Sequence, residues 1–136
     1  MNKKILYFAF SLCLILSLVS CQTYDTGRIN LYDTEEILND GDSFTSKNYE
    51  KGDQELRLIE FSGTYTMKSF DLCTEVTIII DWTIDKGSMR VLWITSDDQV
   101  IELEEGIHHF QIENGIHRLK MIGDKVSGRI NWVIRY

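Results

Sequence analysis

The chain has 136 residues, a hydrophobic fraction of 43%, and 21 acidic against 14 basic residues, which gives a formal net charge of −7. This length allows one small domain with a core of its own. Nucleic-acid binding depends on Lys and Arg side chains that neutralise phosphates, so the acidic balance excludes a nucleic-acid partner. Three cysteines are too few for the dense disulfide framework of many small secreted domains.

The first 21 residues have the pattern of a secretory signal. Lys3 and Lys4 supply a basic start, and an apolar run from Ile5 to Val19 follows. A secretory signal needs an apolar stretch of roughly 7–15 residues, whereas a transmembrane helix needs about 20. The run is therefore short for a permanent span, and we predict an exported protein whose signal peptide covers residues 1–20.

The end of this run, Leu18-Val19-Ser20-Cys21, resembles the lipobox of bacterial lipoproteins. The resemblance implies that a diacylglycerol joins the Cys21 thiol and that a signal peptidase then cuts between Ser20 and Cys21. It also implies a lipid-anchored protein at the cell membrane that faces outside the cytoplasm. Two acyl chains such as palmitate, at about 0.8 kcal/mol per buried CH₂, anchor a protein stably. The alternatives are an ordinary signal peptide cut near Ser20 and an uncleaved anchor.

Cleavage before Cys21 changes both the charge and the cysteine count. It removes two lysines and no acid, so the net charge moves from −7 to −9. It also removes Cys13, and with lipid on Cys21 this leaves Cys73 without a disulfide partner. A lone cysteine is usually a small apolar filler, and a reactive thiol is the alternative. No Cys/His spacing typical of a zinc site is present, and we predict no metal and no cofactor.

Residues 21–54 are predicted to form the lipidated cysteine and a flexible acidic tether. Residues 22–55 carry nine acids and three bases. Few apolar residues and one dominant charge sign are typical of disorder. One helical turn containing Leu31, Ile37 and Leu38, capped by Asp33 or Thr34, is the single element that the pattern suggests. A spacer is favoured over a binding motif.

From residue 55 to residue 136 the apolar residues alternate with period two, which is typical of β-strands packed on one face. The clearest run extends from Phe70 to Ile84, with an interruption expected at Cys73-Thr74-Glu75. The end of the chain repeats the pattern with Ile130 and Trp132 on one face. This region is predicted to be the folded domain.

Turn sequences separate the predicted strands. They are Asp85-Lys86-Gly87, Ser96-Asp97-Asp98, Asn114-Gly115, Gly123-Asp124-Lys125 and Ser127-Gly128. Asn-Gly tolerates the positive φ angles of a type I′ hairpin turn, so Asn114-Gly115 is predicted to close a hairpin in which Ile112 faces His117. About eight short strands at this spacing predict an all-β fold, a small antiparallel two-sheet sandwich that is jelly-roll-like.

Three motifs of this domain are Gly63-Thr64-Tyr65 leading to Ser69-Phe70, Gly115 to Lys120 leading to Gly123, and Ser127-Gly128 before the last strand. With these features the domain loosely resembles small uncharacterised exported β-domains of low-GC Gram-positive bacteria. The resemblance implies an exported β fold, and it carries no known activity or site residues.

Histidines and acids are the first candidates for chemistry. His108 and His117 share a face of the predicted hairpin, but four residues separate them along the ladder, roughly 13 Å. They are therefore too far apart to share a zinc ion. A second group of acids is Asp97, Asp98, Glu102, Glu104 and Glu105. These lack the regular spacing of a calcium loop, so a solvated acidic hairpin is favoured over a calcium site. No catalytic residue is predicted.

The three tryptophans are candidates for stacking on a sugar. Trp82 and Trp132 fall in the apolar phase of their strands, so core positions are favoured for both. Trp93 lies in Arg90-Val91-Leu92-Trp93-Ile94, where both phases are apolar. It is the one possible ligand contact: if exposed, it is a ligand platform, and if buried, its strand is covered on both faces.

These observations predict a membrane-anchored extracytoplasmic lipoprotein that is not an enzyme. We expect a binding or interaction module at the cell surface, whose partner is an unknown envelope protein or glycan. One alternative is a small envelope hydrolase, which needs a cleft with converging polar groups. The other is a purely structural or stress-related envelope component. An exposed patch of several hundred Å² would favour binding over the structural role.

Overall fold

The computed structural model describes residues 28–71 and 74–136, which form one short helix and seven strands. The helix α1 covers Thr34–Leu38, and the strands are β1 (Ser43–Thr45), β2 (Asn48–Lys51), β3 (Glu55–Phe70), β4 (Glu75–Ile94), β5 (Val100–Leu103), β6 (Gly106–Gln111) and β7 (His117–Arg135). The predicted interruption near Cys73 is confirmed, because it falls between β3 and β4. Within the described residues, no helix has the length and apolar character needed to cross a membrane.

All seven strands are antiparallel and belong to one sheet. The long strands β3, β7 and β4 lie side by side at its centre, in that order. β1 and β2 pair with the outer edge of β3, and β5 and β6 pair with the outer edge of β4. The predicted all-β antiparallel fold is confirmed. The strands are seven in one sheet, where about eight in two sheets were predicted.

The three long strands bend where their pairing shifts register. These shifts lie between residues 58 and 68 of β3 and between residues 84 and 88 of β4. Gly87 has φ +81°, and a Cβ atom there would lie 2.4 Å from the Lys125 carbonyl oxygen. Asp/Gly-rich sequences suit bulges as well as reversals, because both require unusual backbone angles. Three of the predicted turns therefore do not exist, because their residues lie inside strands. They are Asp85-Lys86-Gly87 in β4, and Gly123-Asp124-Lys125 and Ser127-Gly128 in β7.

The bends divide the sheet into two halves that face each other across one core. The first half-sheet comprises β2, β6 and residues 55–58, 75–84 and 126–135 of the long strands. The second half-sheet comprises β1, β5 and residues 62–70, 88–94 and 117–123. Trp93 of the second half stacks on Phe110 of the first, with ring centroids 4.3 Å apart. A single bent sheet thus encloses the apolar side chains.

Asn114-Gly115 does not close the predicted hairpin. β6 pairs with residues 75–80 of β4, whereas β7 begins opposite Phe70 of β3. Gly115 has φ +110°, but the φ of Asn114 is not positive, so the turn is not of type I′. Asn114 and Gly115 instead lie in the connection between β6 of the first half-sheet and the start of β7 in the second half-sheet. The predicted pairing of Ile112 with His117 is therefore wrong.

Residues 28–42, which we name the N-terminal strap, pack on the outer face of the second half-sheet. Asp33 caps α1, since its carboxylate accepts hydrogen bonds from the backbone amides of Glu35 and Glu36. The predicted helical turn after Asp33 is thereby confirmed. Ile37 of α1 is buried in a small cluster with Leu92, Ile94 and Ile122. These sheet residues are covered by the strap, on the face opposite the main core.

Cationic side chains of the sheet bind the backbone of the strap. Arg118 donates to the carbonyls of Leu38 and Asn39, and Lys120 donates to the Asn39 carbonyl at 2.6 Å. Arg90 donates to the Leu31 carbonyl at 2.7 Å. These partners lie some 60 to 80 residues away in sequence, which local composition does not reveal.

The prediction of a flexible tether is wrong for residues 28–54. The strap is docked, and β1 and β2 extend the sheet beside β3. The disorder prediction used the composition of the segment alone, whereas its backbone carbonyls accept hydrogen bonds from Arg90 of β4 and from Arg118 and Lys120 of β7. The predicted signal peptide, Cys21 and residues 22–27 lie outside the described residues.

Candidate functional site

A groove of about 600 Å³ lies on the outer face of the first half-sheet. We name it the outer groove. β2, β3, β4 and β7 each contribute side chains, so four adjacent strands form its floor. The residues that line it are Asn48, Tyr49, Glu50, Arg57, Leu58, Ile59, Thr83, Asp85, Ser127, Gly128, Arg129 and Asn131. This is the candidate binding site of the molecule.

Strand register places a row of polar residues across the floor of the outer groove. Glu50 of β2 pairs with Arg57 of β3, Arg57 pairs with Arg129 of β7, and Arg129 pairs with Thr83 of β4. Neighbouring strands lie about 4.8 Å apart. The alternate residues Leu56 and Ile130 point into the core, and this alternation directs the polar row to the outer face.

Glu55 fixes the two arginines of the row. One carboxylate oxygen accepts a hydrogen bond from Arg57 Nε and lies 3.5 Å from Arg129 Nε. The hydrogen bond from Arg57 is the main reason why the pKa of Glu55 lies below its usual value. Both ion pairs use the Nε atoms, and the terminal Nη groups make no hydrogen bond to other described residues. The arginine ends are thus held side by side with donors available to a ligand.

Several polar side chains of the outer groove have no protein partner. Within the described residues, the side chains of Asn48, Glu50, Thr83 and Asp85 make no hydrogen bond to protein. Asn131 is different, since its amide donates to Asp81 at 2.8 Å. Polar groups that converge on a groove and keep unused hydrogen-bonding capacity are typical of ligand sites.

One apolar side chain borders the polar row. Ile59 is 48% exposed and pairs with Asn48, so it lies on the outer face. Tyr49 pairs with Leu58 instead, and its ring packs edge-on against Phe44 on the core side of β2, with centroids 5.3 Å apart. The outer groove therefore offers partly exposed apolar surface beside hydrogen-bonding groups.

Trp93, the predicted ligand contact, is not at the surface. It is 1% exposed and lies between Phe70 and Phe110 in the main core. The adjacent Leu92 and Ile94 are buried beneath the strap. Trp93 is therefore excluded as a ligand platform, and the alternative of a strand covered on both faces is confirmed. Cys21, the predicted lipid site, and Cys73 lie outside the described residues.

The three histidines are separate and lie away from the outer groove. His108 Nε2 lies 2.7 Å from the Glu104 carbonyl oxygen, and His109 Nδ1 lies 2.9 Å from Thr77 Oγ1. His117 is buried and stacks on Trp93, with centroids 5.7 Å apart. Among the described residues, no group of three or more His, Cys, Asp or Glu side chains is arranged to hold a metal ion.

The acids of the β4–β5 hairpin have individual partners. Asp97 accepts hydrogen bonds from Thr95 and Gln99, which closes the predicted turn at residues 96–98. Glu102 forms an ion pair with Arg90 at 2.8 Å. Glu105 is also separate, since it accepts from the backbone amide of Trp82. The three carboxylates thus have separate partners and do not converge on one point.

Sequence analysis did not single out Arg57 or Arg129. Each alternates with buried apolar residues, so period two alone places both on a polar face. Their proximity depends on the pairing of β3 with β7, which joins residues 72 positions apart. No turn sequence specifies that pairing.

No known protein family matches the chain, and no curated protein or solved structure is significantly similar to it. The site is therefore interpreted from its own residues. Its geometry shows an open polar groove, formed on strands, with paired arginines at its centre.

Proposed function

We propose that this chain is a membrane-anchored extracytoplasmic lipoprotein whose β domain is a non-catalytic binding module at the cell surface. The outer groove is its binding site. The observation that carries this proposal is the convergence of unpartnered polar side chains in a 600 Å³ groove. Four adjacent strands of the sheet form this site, so strand pairing sets the spacing of its polar row.

The proposed location rests on the N-terminal sequence. The basic start, the short apolar run and Leu18-Val19-Ser20-Cys21 follow each other in the order of a lipoprotein signal. Lipid on Cys21 would supply the membrane affinity. The acidic body, at a net charge of −9 after cleavage, would be repelled by anionic headgroups.

The electrostatics of the outer groove support binding over catalysis. A general acid at neutral pH needs a raised carboxyl pKa. The pKa of Glu55 is lowered instead by its hydrogen bond with Arg57, which keeps the carboxylate ionised as an ion-pair partner. The described histidines bond to groups outside the groove and offer no base there. The groups of the site are suited to hold a ligand rather than to transfer protons.

Site-specific crosslinking in cells tests this proposal. A photoreactive residue at Ile59 would report on the outer groove of the full-length protein. The same residue at Ile107 is a matched control, because Ile107 is also an exposed isoleucine of the first half-sheet but does not line the groove. We expect Ile59 to capture an envelope component that Ile107 does not. Equal capture from both positions, or none from either, would refute the binding role of the groove.

A further inference from the structure

We propose that the ligand of the outer groove is a neutral glycan, laid across strands β2, β3, β7 and β4. This inference rests on the binding function proposed above and names its ligand class. It is carried by three properties of the groove: its charge balance, its spacing of polar groups and its exposed apolar border at Ile59.

The charges that line the outer groove cancel. Among the lining residues, Arg57 and Arg129 are balanced by Glu50 and Asp85. Glu55, which lies outside the lining, adds one negative charge beside both arginines. An anionic ligand would meet the carboxylates, and a cationic ligand would meet the guanidinium groups. A ligand without net charge avoids both costs.

Sugar hydroxyl groups match this mixture of groups. Arginine only donates hydrogen bonds and an ionised carboxylate only accepts them, whereas a hydroxyl group does both. Neighbouring hydroxyls of one sugar can therefore accept from Arg129 and donate to Asp85. Asn48 and Thr83 can act in either sense, which suits a ligand that presents several hydroxyls at different angles.

The polar row has the length of a short oligosaccharide. Glu50, Arg57, Arg129 and Thr83 lie on four consecutive strands. At about 4.8 Å between strands, the row spans roughly 14 Å. An extended glycan that crosses the strands would thus meet a polar side chain at each strand.

Ile59 completes the match, because a sugar ring has an apolar C–H face as well as a polar rim. This side chain is 48% exposed and borders the groove. It gives the apolar face of a sugar a place to pack.

An anionic polymer is the principal competitor. Two adjacent arginines are able to bind an oxyanion through bidentate hydrogen bonds. Here the Nε atoms of Arg57 and Arg129 are already paired with the Glu55 carboxylate. The chain after the proposed cleavage also carries a net charge of −9. These features weaken the field that would attract a phosphate or carboxylate polymer.

Binding of the full-length lipidated protein, in detergent, to an array of neutral and acidic oligosaccharides tests the ligand class. We expect signals on neutral glycans that persist when the salt concentration is raised. Arg129→Ala should weaken this binding by about tenfold or more, because it removes charged donors. Thr83→Ala, a milder change in the same row, should weaken it less.

Arg135→Ala is the matched control, since Arg135 lies on the same strand and the same face as Arg129 but outside the groove. It should leave binding unchanged, and circular dichroism should show all variants folded. Signals confined to acidic glycans, or no signal on the array, would overturn the glycan proposal. Capture of a protein from Ile59 without glycan binding would overturn the ligand class and leave the binding function standing. Absence of glycan binding together with absence of capture from Ile59 would overturn both the ligand class and the binding function.

Discussion

Trp93 and Phe110 stack face to face, with ring planes 4° apart and centroids separated by 4.3 Å. Trp93 belongs to the far end of β4, and Phe110 belongs to β6, which pairs with the near end of the same strand. The contact therefore holds the two half-sheets together across the bend. A stack of this kind contributes about 0.5–1.5 kcal/mol beyond the area that it buries.

Phe110→Ala should lower the free energy of unfolding by about 3 kcal/mol, because it removes both the stack and buried area. Urea denaturation followed by tryptophan fluorescence measures the change. Ile107→Ala on the same strand is the control: Ile107 is 62% exposed, so its loss should cost less than about 0.5 kcal/mol. Similar costs for the two variants would contradict the role of the stack.

Ile37→Ala tests the docking of the strap. Ile37 is 3% exposed and packs on Leu92, Ile94 and Ile122 of the sheet, so truncation should cost about 2–4 kcal/mol. A free tether would show no change. Ile116→Ala is the control, since Ile116 is 59% exposed. Hydrogen exchange offers a second measurement, in which the amides of residues 34–38 should lose protection in Ile37→Ala before those of β4 do.

Lys120 gives the strap a dependence on alkaline pH. Burial, and then the charge of Arg118, lowers the pKa of Lys120 below its usual 10.5. Between the folded pKa and 10.5 the unfolded chain binds more protons, so this group adds stability as pH rises through that window. The free energy of unfolding should therefore increase, relative to Lys120→Met, between pH 7 and pH 10.5. A difference between the two proteins that stays flat across this pH range would contradict the assignment.

Cys21→Ser tests the proposed anchor. Without the thiol the proposed lipid cannot be attached, so the protein should leave the membrane fraction, as cell fractionation and intact mass would show. Cys13→Ser is the matched control, because it changes a thiol within the apolar run and keeps Leu18-Val19-Ser20-Cys21. A Cys21→Ser protein that stays bound to the membrane at full length would mean that the apolar run itself is the anchor.

The strands were predictable where the alternation of apolar and polar residues within a single segment is enough to identify them. Alternation around Ile78, Ile80 and Trp132 reports which side chains face the core, because strand geometry repeats every two residues. Asp85-Lys86-Gly87 was ambiguous, since a bulge and a reversal require the same residues. Its outcome depends on β7, whose Lys125 carbonyl crowds Gly87.

Neither the strap nor the groove was predictable, because both depend on partners distant in sequence. The strap has the composition of a disordered segment, and Arg118 and Lys120 supply the hydrogen bonds that hold it. Arg57 and Arg129 are ordinary exposed strand residues until register sets them side by side. The face of Trp93 was also not predictable, because its strand is apolar on both faces: Trp93 lies in the main core, and the strap covers its neighbours Leu92 and Ile94 on the opposite face.

The docked strap also sets how far the domain can stand from a bilayer. With lipid at Cys21, only residues 22–27 separate the anchor from the strap, a span of at most about 24 Å when extended. Release of residues 28–42 would add up to about 50 Å. In a protein anchored at Cys21, docking would therefore confine the outer groove to a thin layer next to the membrane surface. The strength of Ile37 packing would then decide which depth of the envelope the protein samples.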